Sequence, residues 1–166
     1  MVLPKGLKKI GFQTFAYCSS LETIKLPSTV TFIDHGAFCN CTNLKSINYP
    51  RRLKEISSIA FLNCSNLKSL KLPEGFTKIG WQAFENCSNL TSVKIPDTLE
   101  TIEEEAFKGC DNIHSIEINR GHEYFYQANA VVYNTETDEA VLRINEQYWN
   151  AAVTKAILKA LKENRE

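Results

Sequence analysis

Residues 67–89 read LKSLKLPEGFTKIGWQAFENCSN, and residues 90–112 read LTSVKIPDTLETIEEEAFKGCDN. Laid one above the other, they place Leu67 over Leu90, Pro73 over Pro96, Ile79 over Ile102, Phe84 over Phe107 and Cys87 over Cys110. The same step of 23 residues carries back to Pro4, Pro27 and Pro50, to Phe15, Phe38 and Phe61, and to Cys18, Cys41 and Cys64. Residue types locked to one period through most of a chain mean one short structural unit stacked on copies of itself. A unit this short cannot bury its own apolar face. Stacked neighbours can, and the core becomes a continuous column.

Within a unit, Ile24 and Leu26 alternate with Lys25, the period-2 pattern of a strand with apolar residues inward and the lysine outward. Pro27 follows at once. It cannot donate to a ladder, so it ends the strand and turns the chain. The Ala60-Phe61 and Ala83-Phe84 pairs lead into Asn63-Cys64-Ser65-Asn66 and Asn86-Cys87-Ser88-Asn89, where Asn and Ser favour a tight turn or a short helical turn. One unit is therefore a strand, a corner, a second short extended piece and a compact return. With parallel strands about 4.8 Å apart, five such coils make a stack on the order of 25 Å long.

These units resemble the BspA-like class of leucine-rich repeats over residues 3–119. Thr14 stands where the other units have Ala37, Ala60, Ala83 and Ala106, and Asn119 stands where a proline would follow Ile118. The resemblance implies a leucine-rich repeat solenoid, a right-handed superhelix of parallel β-strands with short extended, 3-10 or helical returns and about five repeats. The array is expected over 1–119, its first unit truncated because the chain opens on Val2-Leu3-Pro4. A β-hairpin unit or cap is expected over 120–146, from the apolar runs 130–133 and 140–144 around a polar turn. Asn129-Ala130 stands there in place of the Asp-Gly usual in that family unit. Residues 147–166 read as an amphipathic C-terminal helix, with Trp149, Val153, Ile157 and Leu161 at four-residue steps. Its expected role is to cover the last coil or to dock another chain.

The 19 basic and 19 acidic residues among 166 give no net charge, so no basic excess points to nucleic acid or an anionic membrane. No apolar run reaches the 18 residues of a membrane span, and the first residues hold no signal-peptide-like run. The cysteines lack the paired spacing of a zinc site. In-register side chains about 4.8 Å apart also fit a disulfide poorly. The expectation is a column of buried, reduced thiols serving as small apolar fillers. Cys39, off that column, is expected to be the exposed and reactive one. His35, His114 and His122 have no partner column for a triad, no phosphate or dinucleotide loop is present, and Glu103-Glu104-Glu105 reads as a solvated turn. No enzyme, cofactor or metal site is expected. Sequons at Asn40, Asn63, Asn86 and Asn89 fall mostly out of the repeat itself.

The outward columns carry the functional expectation. One holds Thr23, Ser46, Ser69, Ser92 and Ser115; the next holds Lys25, Asn48, Lys71, Lys94 and Glu117; the third holds Glu22, Lys45, Lys68, Thr91 and His114. In a leucine-rich repeat these strands line the concave face, here polar, mildly basic and striped with hydroxyls. Phe12 and Trp81 share another column and form a candidate aromatic patch. The resemblance implies a non-catalytic module that binds a protein or glycan, of cell-surface adhesion or host-interaction type, in an extracellular or cell-surface setting. The alternative is a structural spacer or intracellular scaffold fragment of a larger repeat protein. End-to-end or helix-mediated self-association is a further expectation.

Overall fold

The computed structural model describes residues 2–118, 125–128, 131–136 and 140–143. The chain winds as a parallel-strand β-solenoid. Lys9–Ile10, Phe32–Ile33, Glu55–Ile56, Lys78–Ile79 and Thr101–Ile102 form a five-stranded parallel ladder, each strand paired to the next at one 23-residue offset. A second ladder runs along another side of the coils. There Thr23–Ile24 pairs with Ser46–Ile47, and Ser69–Lys71 pairs with Ser92–Lys94, which pairs with Ser115–Glu117.

The prolines make the corner between the two ladders. The carbonyls of Pro27, Pro50, Pro73 and Pro96 accept from the N–H groups of Val30, Leu53, Phe76 and Leu99 at 2.9–3.2 Å. Each proline is thus the first residue of a β-turn, where its missing donor costs nothing.

The returns are neither extended nor helical; no helix occurs among the described residues. Each return is a run of successive turns, as in Ala60 N–H to Ser57, Leu62 to Ile59 and Cys64 to Phe61. The intervening amides point along the stack instead, as in Ile59 to Trp81, Phe61 to Ala83 and Asn63 to Glu85. The reason is a left-handed residue at two places per coil. One column is Gln13, Gly36, Ile59, Gln82 and Glu105, with φ of 49–62°; the other is Tyr17, Asn40, Asn63, Asn86 and Gly109, with φ of 58–71°. A left-handed residue every fourth position ends any helical turn and redirects alternate amides to the next coil.

The core is a set of stacked columns. Phe15, Phe38, Phe61, Phe84 and Phe107 lie ring on ring, with centroids 5.1–5.5 Å apart and planes within 13°. Phe38, Phe61 and Phe84 are fully buried, and burying a side chain of this size stabilises by roughly 1.5–3 kcal/mol. Ile33, Ile56 and Ile79, with Leu44, Leu67 and Leu90, fill the interior beside them.

Cys41, Cys64, Cys87 and Cys110 are buried, reduced and more than fillers. Each thiol donates to the carbonyl of the phenylalanine one coil back: Cys41 to Phe15 at 2.9 Å, Cys64 to Phe38 at 3.1 Å, Cys87 to Phe61 at 3.3 Å and Cys110 to Phe84 at 3.0 Å. Burial raises the Cys41 pKa from 9.0 to about 11 and pushes the Cys64 and Cys87 thiols up as well. The expectation for Cys39 is overturned. Cys39 is buried, between Ala16 and Leu62 in its column, and its sulfur accepts from the Asn40 amide at 3.0 Å. Desolvation raises its pKa as well. Cys18 is the exposed thiol.

Side-chain amides tie the coils together on the surface. Asn86 donates to Asn63 at 3.0 Å and Asn63 to Asn40 at 2.9 Å; a looser series joins Asn89, Asn66 and Asn43. Beyond the coils, Phe125–Ala128, Val131–Asn134 and Ala140–Arg143 form a three-stranded antiparallel sheet. The two expected hairpin strands pair, and Phe125–Ala128 adds a third. Val132 is fully buried and belongs to the core. Asn119, His122, Asn129-Ala130 and the helix expected over 147–166 lie outside the described residues.

Candidate functional site

The second ladder sets the expected binding residues in register. Thr23 lies beside Ser46, and Ser69, Ser92 and Ser115 lie side by side. Strand alternation forces this arrangement: Ile24, Leu70 and Val93 turn inward and are buried, so the flanking residues face out. All eleven expected residues are exposed or half-exposed. Among the described residues, none of the five stripe hydroxyls makes a hydrogen bond. Threonines elsewhere in the solenoid spend theirs on the fold, as Thr31, Thr77 and Thr91 do on carbonyls one coil back.

The lysines divide into two groups. Lys45 pairs with Glu22 at 2.8 Å and Lys94 with Glu117 at 2.5 Å, each across one coil. Glu117 beside Lys94 raises the pKa of that ammonium. Lys25, Lys68 and Lys71 make no ion pair among the described residues. They are the uncompensated positive charge of the face. His114 is exposed at its far end. The sequence columns identify the five lysines but not which of them are neutralised.

Phe12 and Trp81 do not meet. Their column runs Phe12, His35, Ser58, Trp81 and Glu104, on the return turns away from the second ladder. Phe12, 63% exposed, stacks on His35 with centroids 5.4 Å apart, and Ser58 separates that pair from Trp81, 43% exposed. Tyr17 is exposed too, a residue that sequence reading passes over. Its signal lay in its column, where Asn40, Asn63 and Asn86 occupy the left-handed turn and tyrosine stands out. Among the described residues, no group of three His, Cys, Asp or Glu side chains could hold a metal ion, and no helix is long and apolar enough to cross a membrane.

Residues 1–137 match the BspA type leucine rich repeat region, in six copies. The chain belongs to the BspA-type leucine-rich repeat family. The match runs past residue 119, so the family pattern reaches into the antiparallel sheet. A leucine-rich repeat protein from T. pallidum shares 32% identity and a TM-score of 0.66, with 68% of this chain aligned to 52% of that one. One from Bacteroides ovatus shares 36% and 0.64, over 68% of this chain and 29% of that one. A protein from Faecalibacterium prausnitzii described as a leucine rich cell surface protein shares 35% and 0.69, over 72% and 32%. The chain thus spans about half or less of the solved relatives it resembles. No curated protein matches it. Proteins of the BspA-type repeat are generally protein-binding or surface-type, and generally not enzymes.

Proposed function

We propose that this BspA-type array is a non-catalytic binding module of cell-surface type that grips an extended, acidic partner along the second ladder. The observation that carries the reading is the unspent chemistry of that face. Among the described residues, the five hydroxyls of that column make no hydrogen bond, and Lys25, Lys68 and Lys71 make no ion pair. Hydroxyls and ammoniums at a coil-to-coil spacing of about 4.8 Å suit a chain laid along the stack. Three free charges assist encounter and orientation more than they add affinity.

The test compares the wild type with a variant carrying Glu at Lys25, Lys45, Lys68, Lys71 and Lys94. Binding to immobilised polyglutamate and to a sulfated glycan is measured at low and at physiological salt. The expected result is wild-type retention on one probe, weakened by salt, and at least a tenfold loss in the variant. Equal binding by the two proteins sinks the reading. No binding by either favours the alternative, a spacer or scaffold segment within a longer repeat protein.

A further inference from the structure

The coils are not joined evenly. In the first ladder and the returns, each junction is bonded. At the junction of the second and third coils, Lys54 N–H donates to Thr31 at 2.9 Å, Ser57 to Ile33 at 2.9 Å, Phe38 to Ala60 at 2.8 Å and Asn40 to Leu62 at 2.8 Å. The Phe38–Phe61 ring contact there is the closest of the stack, at 5.1 Å.

The second ladder breaks at this same junction. Ser46–Ile47 pairs back to the first coil and Ser69–Lys71 pairs forward to the fourth, but the two strands do not pair with each other. The bond that leads into each strand shows the same gap. Lys45 N–H donates to Glu22 at 2.8 Å, Thr91 to Lys68 at 2.9 Å and His114 to Thr91 at 3.1 Å; the matching bond from Lys68 to Lys45 is not made. Ile47 is only partly buried, as is Ile116 of the last coil, whereas Ile24, Leu70 and Val93 in its column are buried. Coils two and three are therefore tight at the phenylalanine column and parted at the second ladder.

Tyr49 sits at the parting. It occupies the column that holds Leu26, Leu72, Ile95 and Ile118 elsewhere. Its ring meets Phe61 of the third coil edge-on, with centroids 6.3 Å apart. Its hydroxyl is buried with no hydrogen-bond partner among the described residues. Beside it, Asn48 turns back to the first coil, accepting from Leu26 N–H at 2.7 Å and donating to its carbonyl at 3.1 Å. At the second ladder, Asn48 thereby fastens coil two to coil one, while Ser65 and Asn66 of coil three reach coil two only ahead of the strand, at Thr42 and Asn43.

We propose that the junction between the second and third coils is a hinge: coils one and two form one block, coils three to five another, and Tyr49 is the wedge that keeps the second ladder from closing between them. The blocks turn about the Phe38–Phe61 contact and the bonded first ladder. Lys25 and Lys45 ride on one block, and Lys68, Lys71 and Lys94 on the other. The hinge therefore sets the distance between two halves of the face without breaking the core.

Amide hydrogen exchange, read residue by residue by NMR, tests this without any ligand, so its outcome is independent of the binding reading. In the wild type the Lys68 amide is expected to exchange at least tenfold faster than those of Lys45 and Thr91. Tyr49→Leu, which restores the residue of the column, is expected to bring Lys68 to the protection of Thr91. Tyr49→Phe keeps the ring and leaves Lys68 fast. Equal protection of Lys68 and Thr91 in the wild type overturns the hinge, and this comparison stands even if a variant fails to fold. A fast Lys68 amide that persists in folded Tyr49→Leu overturns the wedge.

Discussion

A phenol hydroxyl buried without a partner has lost its water and gained no bond, which costs roughly 1–3 kcal/mol. Tyr49 carries that penalty, so Tyr49→Phe is expected to stabilise the fold by about 1–2 kcal/mol. Chemical denaturation would show it as a higher midpoint at unchanged slope; a lower midpoint would mean that the hydroxyl is satisfied. Gly80 presents the opposite case. A Cβ there would lie 2.6 Å from the Ser58 nitrogen and 2.7 Å from the Ser57 carbonyl carbon, so backbone of the neighbouring coil would have to shift. Gly80→Ala is expected to cost about 1–3 kcal/mol, measured by the same denaturation, and a neutral result would show that the coils can part at this point. The thiols separate by burial. Reaction of the native protein with a thiol reagent should give one fast group, Cys18, with Cys39, Cys41, Cys64, Cys87 and Cys110 slow. A Cys18→Ser variant that keeps the fast phase would contradict this. Sequence reading found the buried column through its period but misplaced the exposed thiol. Period alone does not reveal how deeply each thiol lies: Cys39, off the column, is buried, and Cys18, on it, is exposed.

At the scale of the element, each coil is held by what it shares with two neighbours, so the middle of the stack should be stiffer than its ends. Phe61 is sandwiched between Phe38 and Phe84 and fully buried; among the described residues, Phe15 stacks on Phe38 only. Phe61→Ala is expected to cost about 3–5 kcal/mol, and Phe15→Ala distinctly less. Equal costs in a urea titration would show that the stack unfolds without any gradient along its axis. Strands and corners were legible in the sequence because alternation at Ile24-Lys25-Leu26 and the proline after it are local signals. The returns were not. Their shape depends on left-handed backbone at Gln13, Ile59, Gln82 and Glu105, residues with no preference for it, held there by bonds to the next coil. Only Asn40, Asn63, Asn86, Gly36 and Gly109 advertise those positions. The parting of the second ladder was equally hidden, since Tyr49 passes for one more apolar residue of its column.

For the whole molecule, stability should depend on pH in a way set by buried thiols and paired carboxylates. The Cys41 thiol has a higher pKa folded, about 11, than its ordinary 9.0. Between those values the folded state holds a proton that the unfolded chain gives up, so stability is complete below about 9 and falls as pH rises through this window. Asp34 and Glu103 behave in the reverse sense. Hydrogen bonds from Lys9 and Lys78 lower their pKa values, so their contribution is present above the ordinary carboxylate range and is lost as they protonate in acid. Denaturation midpoints should therefore be flat near neutrality and fall on both sides; a Cys41→Ala variant should lose part of the alkaline slope, and an undiminished slope would clear this thiol of the effect. The binding face was legible as outward columns, because alternation says which residues face out. Glu22 and Glu117 stand one period from Lys45 and Lys94 in the same columns, but that their side chains close into ion pairs is seen only in the folded stack. The amide series through Asn40, Asn63 and Asn86 bears on the chain's manufacture. These amides head three sequons, and the nitrogen that would receive a sugar is the one that donates, to Cys39 from Asn40, to Asn40 from Asn63 and to Asn63 from Asn86. In a eukaryotic secretory host, oligosaccharide transfer to the nascent polypeptide would compete with coil closure. Each modified molecule would carry a bulky branch where two coils must touch, so yield from such a host should recover when those asparagines are shielded from the transferase by replacing Thr42, Ser65 and Ser88 with alanine.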